Sequence, residues 1–147
     1  MSTKDTNPKD AVGIKKAPLS TVSLPFVAAV GVAMLEGALK YGRHNYRVAG
    51  VRLSVYVDAI FRHLAAMWEG EWLDPDCGMP HIIKIAACCA VVFDAHIRGK
   101  LVDDRPPKTQ DGWLKEMNDN AGKLIEKYPK PIPAYLNTDQ KEVSDGK

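Results

Sequence analysis

The most restrictive feature of the sequence is the run HIIKIAACCAVVFDAHIR at 81–98, which is apolar around nearly the whole circumference of a helix. A helix of this composition must be enclosed on all sides by other parts of the protein. Gly99 follows the run directly, and glycine is the residue most often found just after a helix C-terminus. The run therefore predicts a central buried helix that other helices, or a second copy of the chain, must cover.

Three other segments have the apolar spacing of helices. Residues 25–41 start with a proline, which a first helical turn tolerates, and residues 53–68 start beside Ser54, a residue type favoured at helix N-caps. A weaker amphipathic pattern covers 110–128. No segment has a convincing strand pattern, so the chain predicts an all-α, compact helical bundle. On the second of these helices, the residues expected to be buried are Val57, Ile60, Phe61, Leu64 and Met67.

Polar segments that contain proline set the expected domain limits. Residues 1–24 begin with lysines and aspartates interrupted by Pro8, Gly13 and Pro18, which predicts an extended or looped N-terminal arm. The helical domain is expected over 25–128. Residues 129–147 start with three prolines in five positions and end in polar residues, so we expect a loose C-terminal tail.

Composition argues against two kinds of partner. The net charge is only +2 at pH 7 and no run of five basic residues occurs, so we expect no nucleic-acid polymer as a partner. The chain starts without an apolar leader and has no uncharged apolar stretch of membrane-spanning length, so we expect no membrane. Cys77 and the adjacent pair Cys88 and Cys89 form no disulfide framework and fit buried thiols in a reducing cytoplasm.

Carboxylates are concentrated in and around the connector EGEWLDPDCGMP at 69–80. Glu71 and Asp74 are three apart, a spacing that turns both side chains the same way if the following helix begins early, while Glu36 and Asp58 lie on the two preceding helices. Hard divalent ions bind carboxylate oxygens and keep positions open for substrate phosphates. The alternative is a solvated acidic loop before a helix N-terminus, where negative charge is favourable. Spacing alone leaves both interpretations open.

Two histidines have a similar ambiguity. His63 follows Arg62 on the second predicted helix, and His81 opens the apolar helix with Lys84 one turn later. Each is either a hydrogen-bonded core or capping residue, or a group that binds a metal or orients its water. No HExxH, paired CxxC, GxSxG or GK[ST] motif occurs. Cys77 lies four residues before His81, but without further cysteine ligands it forms no structural zinc motif.

The stretch EGALKYGRHNYR at 36–47 combines a carboxylate with several cations. Glu36 and Lys40 are four residues apart and therefore share a helix face, and Gly42 offers a natural helix end. Taken alone, the stretch fits either an ion pair at a solvated helix end or one wall of a site for an anionic, metal-bound ligand.

Four ordered motifs resemble the phage-encoded dATP/dGTP pyrophosphohydrolases, a MazG-like branch of the all-α nucleoside triphosphate pyrophosphatases. They are NPKDAVGIKKAPL at 7–19, EGALKYGRHNYR at 36–47, YVDAIFRHLAAMWEGEWLDPDCGMPH at 56–81 and DDRP at 103–106. The resemblance implies a helical bundle that uses Mg2+ or Mn2+ to hydrolyse dATP or dGTP between the α and β phosphates. The expected products are the monophosphate and pyrophosphate, formed in phage nucleotide metabolism in the host cytoplasm. Residues 25–128 are then the catalytic domain, and the arm at 1–24 contributes to the nucleotide site.

The resemblance also implies roles for individual side chains. We expect Glu36, Asp58, Glu71 and Asp74 to bind the metal, and Glu36, Glu71 and Asp74 to act in catalysis with His63. Two further residues, Asp76 and His81, are expected to support the ligands from behind. The expected substrate contacts are Lys9, Lys15, Lys16, Lys40, Tyr41, Asn45, Arg47, Arg62 and Lys84.

The chain departs from the family pattern at four points. The family connector typically reads D-x-E-S-G, whereas this chain has Asp74, Asp76, Cys77 and Gly78. Tyr46 stands where the family usually has tryptophan, and Lys84 stands where a second histidine is common. The ExxE and ExxD signature of classical MazG proteins is not intact, so the metal ligands follow from the resemblance less directly than the fold does.

Two other functions and the assembly state stay open at this point. A histidine–aspartate metal nucleotidase needs an adjacent His-Asp pair, which the sequence lacks, and a non-catalytic phage interaction module would need no site at all. The apolar surface of the helices between 25 and 98 predicts a homo-oligomer, a dimer or tetramer, with the site near a subunit interface. The alternative is that residues 110–136 fold back over the same surface.

Overall fold

The structure, a computed structural model, describes residues 7–140. The first six and the last seven residues, which belong to the predicted arm and tail, lie outside the described residues. The prediction of an all-α fold is confirmed, because α-helices make up most of the described chain. They are α1 (Pro8–Gly13), α2 (Leu24–Tyr41), α3 (Leu53–Trp68), α4 (His81–Ile97) and α5 (Trp113–Lys127), with short 3-10 turns at Leu19–Thr21, Asn45–Arg47 and Asn137–Gln140.

The three long helices before residue 100 begin and end within one residue of their predicted limits. The expectation of a looped segment around Pro8 was wrong, because Pro8 opens α1 and the Asn7 side chain accepts a hydrogen bond from the backbone N–H of Lys9. A proline in the first turn needs no N–H, and asparagine is a strong N-cap.

The expectation that no strand occurs was also wrong. The two-residue strand β1 (Val51–Arg52), directly before α3, pairs in parallel with β2 (Leu101–Val102), which follows α4. Strands of two residues are too short to give an alternating pattern in the sequence. Ser54 is not the N-cap of α3 but lies inside it, and its backbone N–H and hydroxyl both donate to Asp104, at 2.8 and 2.5 Å.

Helix α4 lies at the centre of the helical unit, as its composition predicts, but it is not enclosed on all sides, because Phe93 and Ile97 are 68% and 62% exposed. It packs against both α2 and α3. Its buried apolar residues follow a four-residue spacing, and the pair Ile83 and Ala87 forms a core cluster with Ala33 of α2. The buried residues of α4 are His81, Ile83, Ala87, Val91 and Ala95. Small side chains at Ala33 and Ala87 allow the two helices to pack closely.

The predicted burial of α3 was partly wrong. Ile60 and Met67 are half-buried, but Val57, Phe61 and Leu64 are exposed. Together with Trp68, which is 84% exposed, these three residues form one continuous apolar stripe along the helix. A helix that packs on one neighbour buries one face, and the remaining apolar side chains of α3 stay uncovered within a single chain.

One helix in the described part of the chain, α2, is long and apolar enough to cross a membrane by length and composition alone. Core helices of soluble proteins pass the same test, so this is weak evidence of a membrane span. Helix α2 carries Glu36 and Lys40 in its last two turns, and its Ala33 is buried against α4.

The chain divides into two compact units, Met1–Arg105 and Pro106–Lys147. The first contains α1 to α4 and the strand pair, and the second contains α5. The sequence pattern predicts one helical domain that continues to residue 128 and therefore includes α5. Within the second unit, Trp113 begins α5 and a pair of side chains four residues apart, Lys115 and Asp119, forms an exposed ion pair at 2.6 Å.

Gly50, directly before β1, allows the chain to approach Lys100, directly before β2, so that the two strands can pair. Its φ is +79°, and a Cβ built at this position would lie 2.7 Å from the backbone oxygen of Lys100. That oxygen accepts a hydrogen bond from the N–H of Val51 at 3.0 Å, so it cannot move away without loss of the strand pair.

We therefore expect Gly50→Ala to lower the free energy of unfolding by about 1–3 kcal/mol, because it adds left-handed backbone strain and a backbone clash. Chemical denaturation followed by circular dichroism measures the change. The matched control is Gly31→Ala in the interior of α2, where an added Cβ meets no atom within 4 Å and helix propensity improves. Equal effects of the two substitutions would contradict this account of Gly50.

Candidate functional site

A cavity of about 600 Å3 lies in the first unit, between α2, α3 and α4. The turn after α2 and the connector before α4 complete its walls. One face of α4 supplies Lys84, Ala87, Cys88 and Val91, which are spaced at three or four residues and therefore lie in one row. We call the part around Glu36 and Lys84 its charged end and the part around Tyr46 and Tyr56 its aromatic end. Arg43 and His44 also line the cavity.

The connector before α4 folds into a tight hairpin that fixes the positions of Asp74 and His81. The N–H of Asp74 donates to the oxygen of Met79 at 2.8 Å, and the N–H of Gly78 donates to the oxygen of Asp74 at 2.8 Å. Gly78 has a φ of +72°, which glycine adopts without strain. The N–H of His81 donates to the oxygen of Trp72 at 3.0 Å, which ties the helix start to the hairpin. Asp74 and His81 are consequently 5% and 4% exposed.

Two imidazoles and a carboxylate converge beside this hairpin. The Nδ1 atoms of His63 and His81 are 2.9 Å apart, and the rings are tilted by 41°. Oδ2 of Asp74 lies 3.9 Å from Nδ1 of His63. On the opposite side of its ring, Nε2 of His81 is 2.8 Å from Oε1 of Glu71, whose side chain is 56% exposed.

The same group fits a divalent metal ion. One ligand atom from each of His63, Asp74 and His81 lies within 4.8 Å of the others. Oδ1 of Asp74 accepts from the N–H of Asp76 at 2.8 Å, but Oδ2 lies 3.9 Å from both Nδ1 of His63 and Nζ of Lys84, beyond hydrogen-bond distance. A carboxylate oxygen of a buried residue that faces two donors without bonding either is free to bind a metal ion.

Glu36 lies between two lysines at the charged end. It pairs with Nζ of Lys40 at 2.5 Å and with Nζ of Lys84 on α4. The hydrogen bonds from Lys40 and then Lys84 lower the pKa of Glu36 from 4.5 to about 2. Burial is the largest single effect on Lys84 and opposes its charge, but the hydrogen bond with Glu36 and the nearby negative charges together outweigh it and raise the pKa of Lys84. Both lysines are therefore protonated at neutral pH, a charge pattern suited to a phosphate ligand.

The other end of the cavity is aromatic. Tyr41, Tyr46 and Tyr56 line it together with Cys88. Burial raises the pKa of the Tyr56 hydroxyl and of the Cys88 thiol, so both groups are neutral at physiological pH. A neutral, aromatic wall is the surface that a nucleobase packs against.

The structure brings most of the predicted site residues together and leaves some apart. Asp58 is exposed on α3 and does not line the cavity. Arg47 donates from Nε and Nη2 to Asp94 at 2.7 and 2.8 Å, and lies outside the lining. The arm residues Lys9, Lys15 and Lys16 are exposed and also lie outside it. The predicted residues that do line the cavity are Glu36, Lys40, Tyr41, Asn45, Arg62, His63, Asp74, Asp76 and Lys84.

The sequence pattern did not assign Tyr56, Cys88 or His44 to the site. Tyr56 lies seven residues before His63, and Cys88 lies four after Lys84, so helical spacing from recognised residues was a signal for both. His44 also lines the cavity, with a φ of +62° that few residues other than glycine adopt. Nothing in the sequence around His44 indicated that conformation.

The fold and the cavity together define a helical protein with a candidate metal centre beside a pocket that contains Lys40 and Lys84. Residues 6–105 match the family described as dATP/dGTP diphosphohydrolase, N-terminal, and the chain belongs to this family. The matched segment ends at the boundary between the two units, so it contains the whole cavity and not α5. No curated protein and no solved structure matches the chain.

The charge on Glu36 has a testable consequence for stability. Because its folded-state pKa lies below the ordinary value of 4.5, Glu36 contributes stability above pH 4.5 and loses that contribution as the pH falls through about 2. We expect Glu36→Gln to reduce the slope of unfolding free energy against pH in this window, by up to about one proton taken up on unfolding. Urea titrations at a series of pH values measure the slope.

The control for this experiment is Glu69→Gln, the same change at an exposed position at the end of α3. It should keep the wild-type slope. A Glu36→Gln slope that is indistinguishable from that of the wild type would show that the two lysines do not hold Glu36 in its charged form.

Proposed function

We propose that this protein is a metal-dependent pyrophosphohydrolase that converts dATP or dGTP to the monophosphate and pyrophosphate. The observation that carries the proposal is one cavity, inside the family-matched segment, that is lined by His63, Asp74 and Lys84. His81 adjoins its wall through His63 and Asp74. We place this activity in phage nucleotide metabolism in the host cytoplasm. The finer reaction and its setting go beyond the family description, which names a dATP/dGTP diphosphohydrolase.

His63, Asp74 and His81 are the residues that would hold the cation, Mg2+ or Mn2+ as the resemblance implies. Bound there, a divalent ion would supply positive charge against the triphosphate and a water molecule of lowered pKa. The protein's part is to hold these ligands in the buried hairpin, so that little reorganisation is needed on binding.

The lysines beside Glu36 are placed to bind the phosphates. A triphosphate that enters the cavity competes with Glu36 for Lys84 and Lys40, and Arg62 lines the same wall. Lys and Arg side chains there stabilise the charge that develops on the leaving pyrophosphate. When the phosphates draw the two lysines away, the Glu36 carboxylate loses the contacts that depress its pKa and becomes a better proton acceptor.

The aromatic end gives the substrate a direction. With the phosphates at Lys84 and Lys40, the purine would lie towards Tyr41, Tyr46 and Tyr56. Tyrosine rings stack on purines without strong preference for one base, which agrees with a family named for both dATP and dGTP.

Product analysis tests the proposal directly. We expect the purified chain to release pyrophosphate and the monophosphate from dATP or dGTP with Mn2+ or Mg2+, and to lose this activity in EDTA. Lys84→Met should lower kcat/KM at least about tenfold, because it removes a cation at the phosphates. Ion-exchange chromatography of the nucleotides, with a coupled pyrophosphate assay, gives both products.

The matched control is Lys100→Met, an exposed lysine between α4 and β2 that does not line the cavity and should keep wild-type kinetics. Tripolyphosphate or orthophosphate as the direct product would instead indicate another metal-dependent nucleotidase. No turnover on any deoxynucleoside triphosphate would indicate a non-catalytic phage interaction module.

We also propose that the protein is a homo-oligomer, a dimer or tetramer. The apolar stripe formed by Val57, Phe61, Leu64 and Trp68 on α3 is exposed along about three helical turns. It runs beside cavity residues of the same helix, since Tyr56 precedes Val57 and Arg62 follows Phe61. A second copy that covered this stripe through a two-fold interface would lie next to the site.

Light scattering at micromolar concentration should therefore give at least twice the 16.2 kDa mass of one chain. Phe61→Glu should reduce the mass to that of a single chain, because it places a charge in an apolar interface. Tyr135→Glu, at a position that is 91% exposed in the second unit, is the matched control and should leave the mass unchanged. A wild-type mass of one chain would end the proposal.

A further inference from the structure

We propose that the cation ligands are Nδ1 of His63, Nδ1 of His81 and Oδ2 of Asp74, and that Glu71 positions His81 from behind. We further infer that such a centre takes a first-row transition ion in preference to Mg2+. This deepens the proposed function, on whose cavity it rests. It also reverses the roles that the family resemblance implied for two residues, with Glu71 as a metal ligand and His81 behind it.

The hydrogen bonds of His81 assign its proton. An ionised Glu71 carboxylate can only accept, so the 2.8 Å contact between its Oε1 and Nε2 of His81 places a hydrogen on Nε2. In neutral His81 the lone pair is then on Nδ1, which faces Nδ1 of His63 at 2.9 Å. Carboxylates behind metal-bound histidines fix the tautomer in this way.

The two imidazoles share one proton at the point where both Nδ1 atoms meet. Because His81 offers a lone pair there, His63 donates the hydrogen of this 2.9 Å contact. When a cation takes the place of that shared hydrogen, His63 needs only to adopt its other neutral tautomer, with the hydrogen on Nε2. Both nitrogen lone pairs then point to one ion, and no charge on the protein changes.

Burial separates the ligands from the residue behind them. Asp74 and His81 are nearly enclosed, whereas the Glu71 side chain is 56% exposed and reaches His81 from the solvent side. The imidazole ring of His81 stands between Glu71 and the meeting point of the two Nδ1 atoms. Oδ2 of Asp74 is the third proposed ligand atom. It lies 3.9 Å from both Nδ1 of His63 and Nζ of Lys84 and bonds to neither.

The donor set decides the class of ion. It has two neutral nitrogens and a single carboxylate. Of the other acidic side chains nearby, Glu36 is paired with Lys40 and Lys84. Glu71 bonds to the far nitrogen of His81, and Asp76 is exposed and outside the cluster. Mg2+ prefers oxygen ligands in an octahedral shell, whereas imidazole nitrogen favours transition ions, with affinity rising from Mn2+ towards Zn2+. Mn2+ is the useful probe because its electron spin reports directly bound nitrogen.

Pulsed electron paramagnetic resonance of the full chain loaded with Mn2+ tests the ligand set. We expect 14N couplings from two imidazoles in the wild type and from one imidazole in His63→Ala and in His81→Ala. His96→Ala, an exposed histidine at the far end of α4, is the control and should keep both couplings. A wild-type spectrum without nitrogen coupling overturns the inference, whether or not the variants fold.

Calorimetric titration tests the class of ion and the role of Glu71. Mn2+ should bind at least about tenfold more tightly than Mg2+. Glu71→Ala should weaken Mn2+ binding about 10- to 100-fold while the nitrogen couplings remain. Glu71→Gln should restore most of the affinity, because its amide oxygen still accepts from Nε2 of His81. Glu69→Ala, on the exposed end of α3, is the control and should bind as the wild type does.

Equal losses in Glu71→Gln and Glu71→Ala would make Glu71 a direct ligand and contradict the inference, as would equal affinity for Mg2+ and Mn2+. The result also separates this inference from the proposed function. Pyrophosphate release without nitrogen coupling retains the function and refutes the ligand set. Two nitrogen couplings without turnover of any deoxynucleoside triphosphate retain the ligand set and refute the function.

Discussion

The rest of the site depends on the hairpin that joins α3 to α4. Its backbone bonds from Asp74 to Met79 and from His81 to Trp72 hold the chain against the start of the most buried helix. That position puts a carboxylate and an imidazole into nearly complete burial, where an unpaired charge is expensive. Apart from Oδ2 of Asp74, the polar side-chain atoms enclosed there are hydrogen-bonded, and these bonds fix their directions.

Burial in this arrangement concentrates opposite charges in a small volume. Glu36 is held between Lys40 and Lys84, and Lys84 also lies 3.9 Å from Asp74. A polyanionic ligand with a divalent cation has the complementary charge, since the cation meets the carboxylate and imidazoles while the phosphates meet the lysines. In the absence of a ligand the ion pairs hold these charged side chains in place, and the proposed ligand would replace them.

The sequence predicts the helices well because apolar spacing is a local property. It also places Lys84 and Asp74 in the site through motif resemblance. It does not predict that Arg47 pairs with Asp94, 47 residues away, or that Ser54 bonds Asp104, because such contacts depend on how helices are joined. The sequence also does not predict that Asp58 is exposed away from the site or that Glu71 contacts His81. Both features depend on the hairpin and on helix packing rather than on spacing along the chain.

The central claim is that a metal-bound purine deoxynucleotide occupies this cavity. Anomalous diffraction from a crystal containing Mn2+ and a non-hydrolysable dGTP analogue tests it most directly. The account predicts one manganese peak between the two Nδ1 atoms of His63 and His81 and Asp74, with the phosphates at Lys84 and the base against the tyrosines. A manganese peak at Asp58 or on the exposed face of Glu71, or a nucleotide bound outside the cavity, would contradict it.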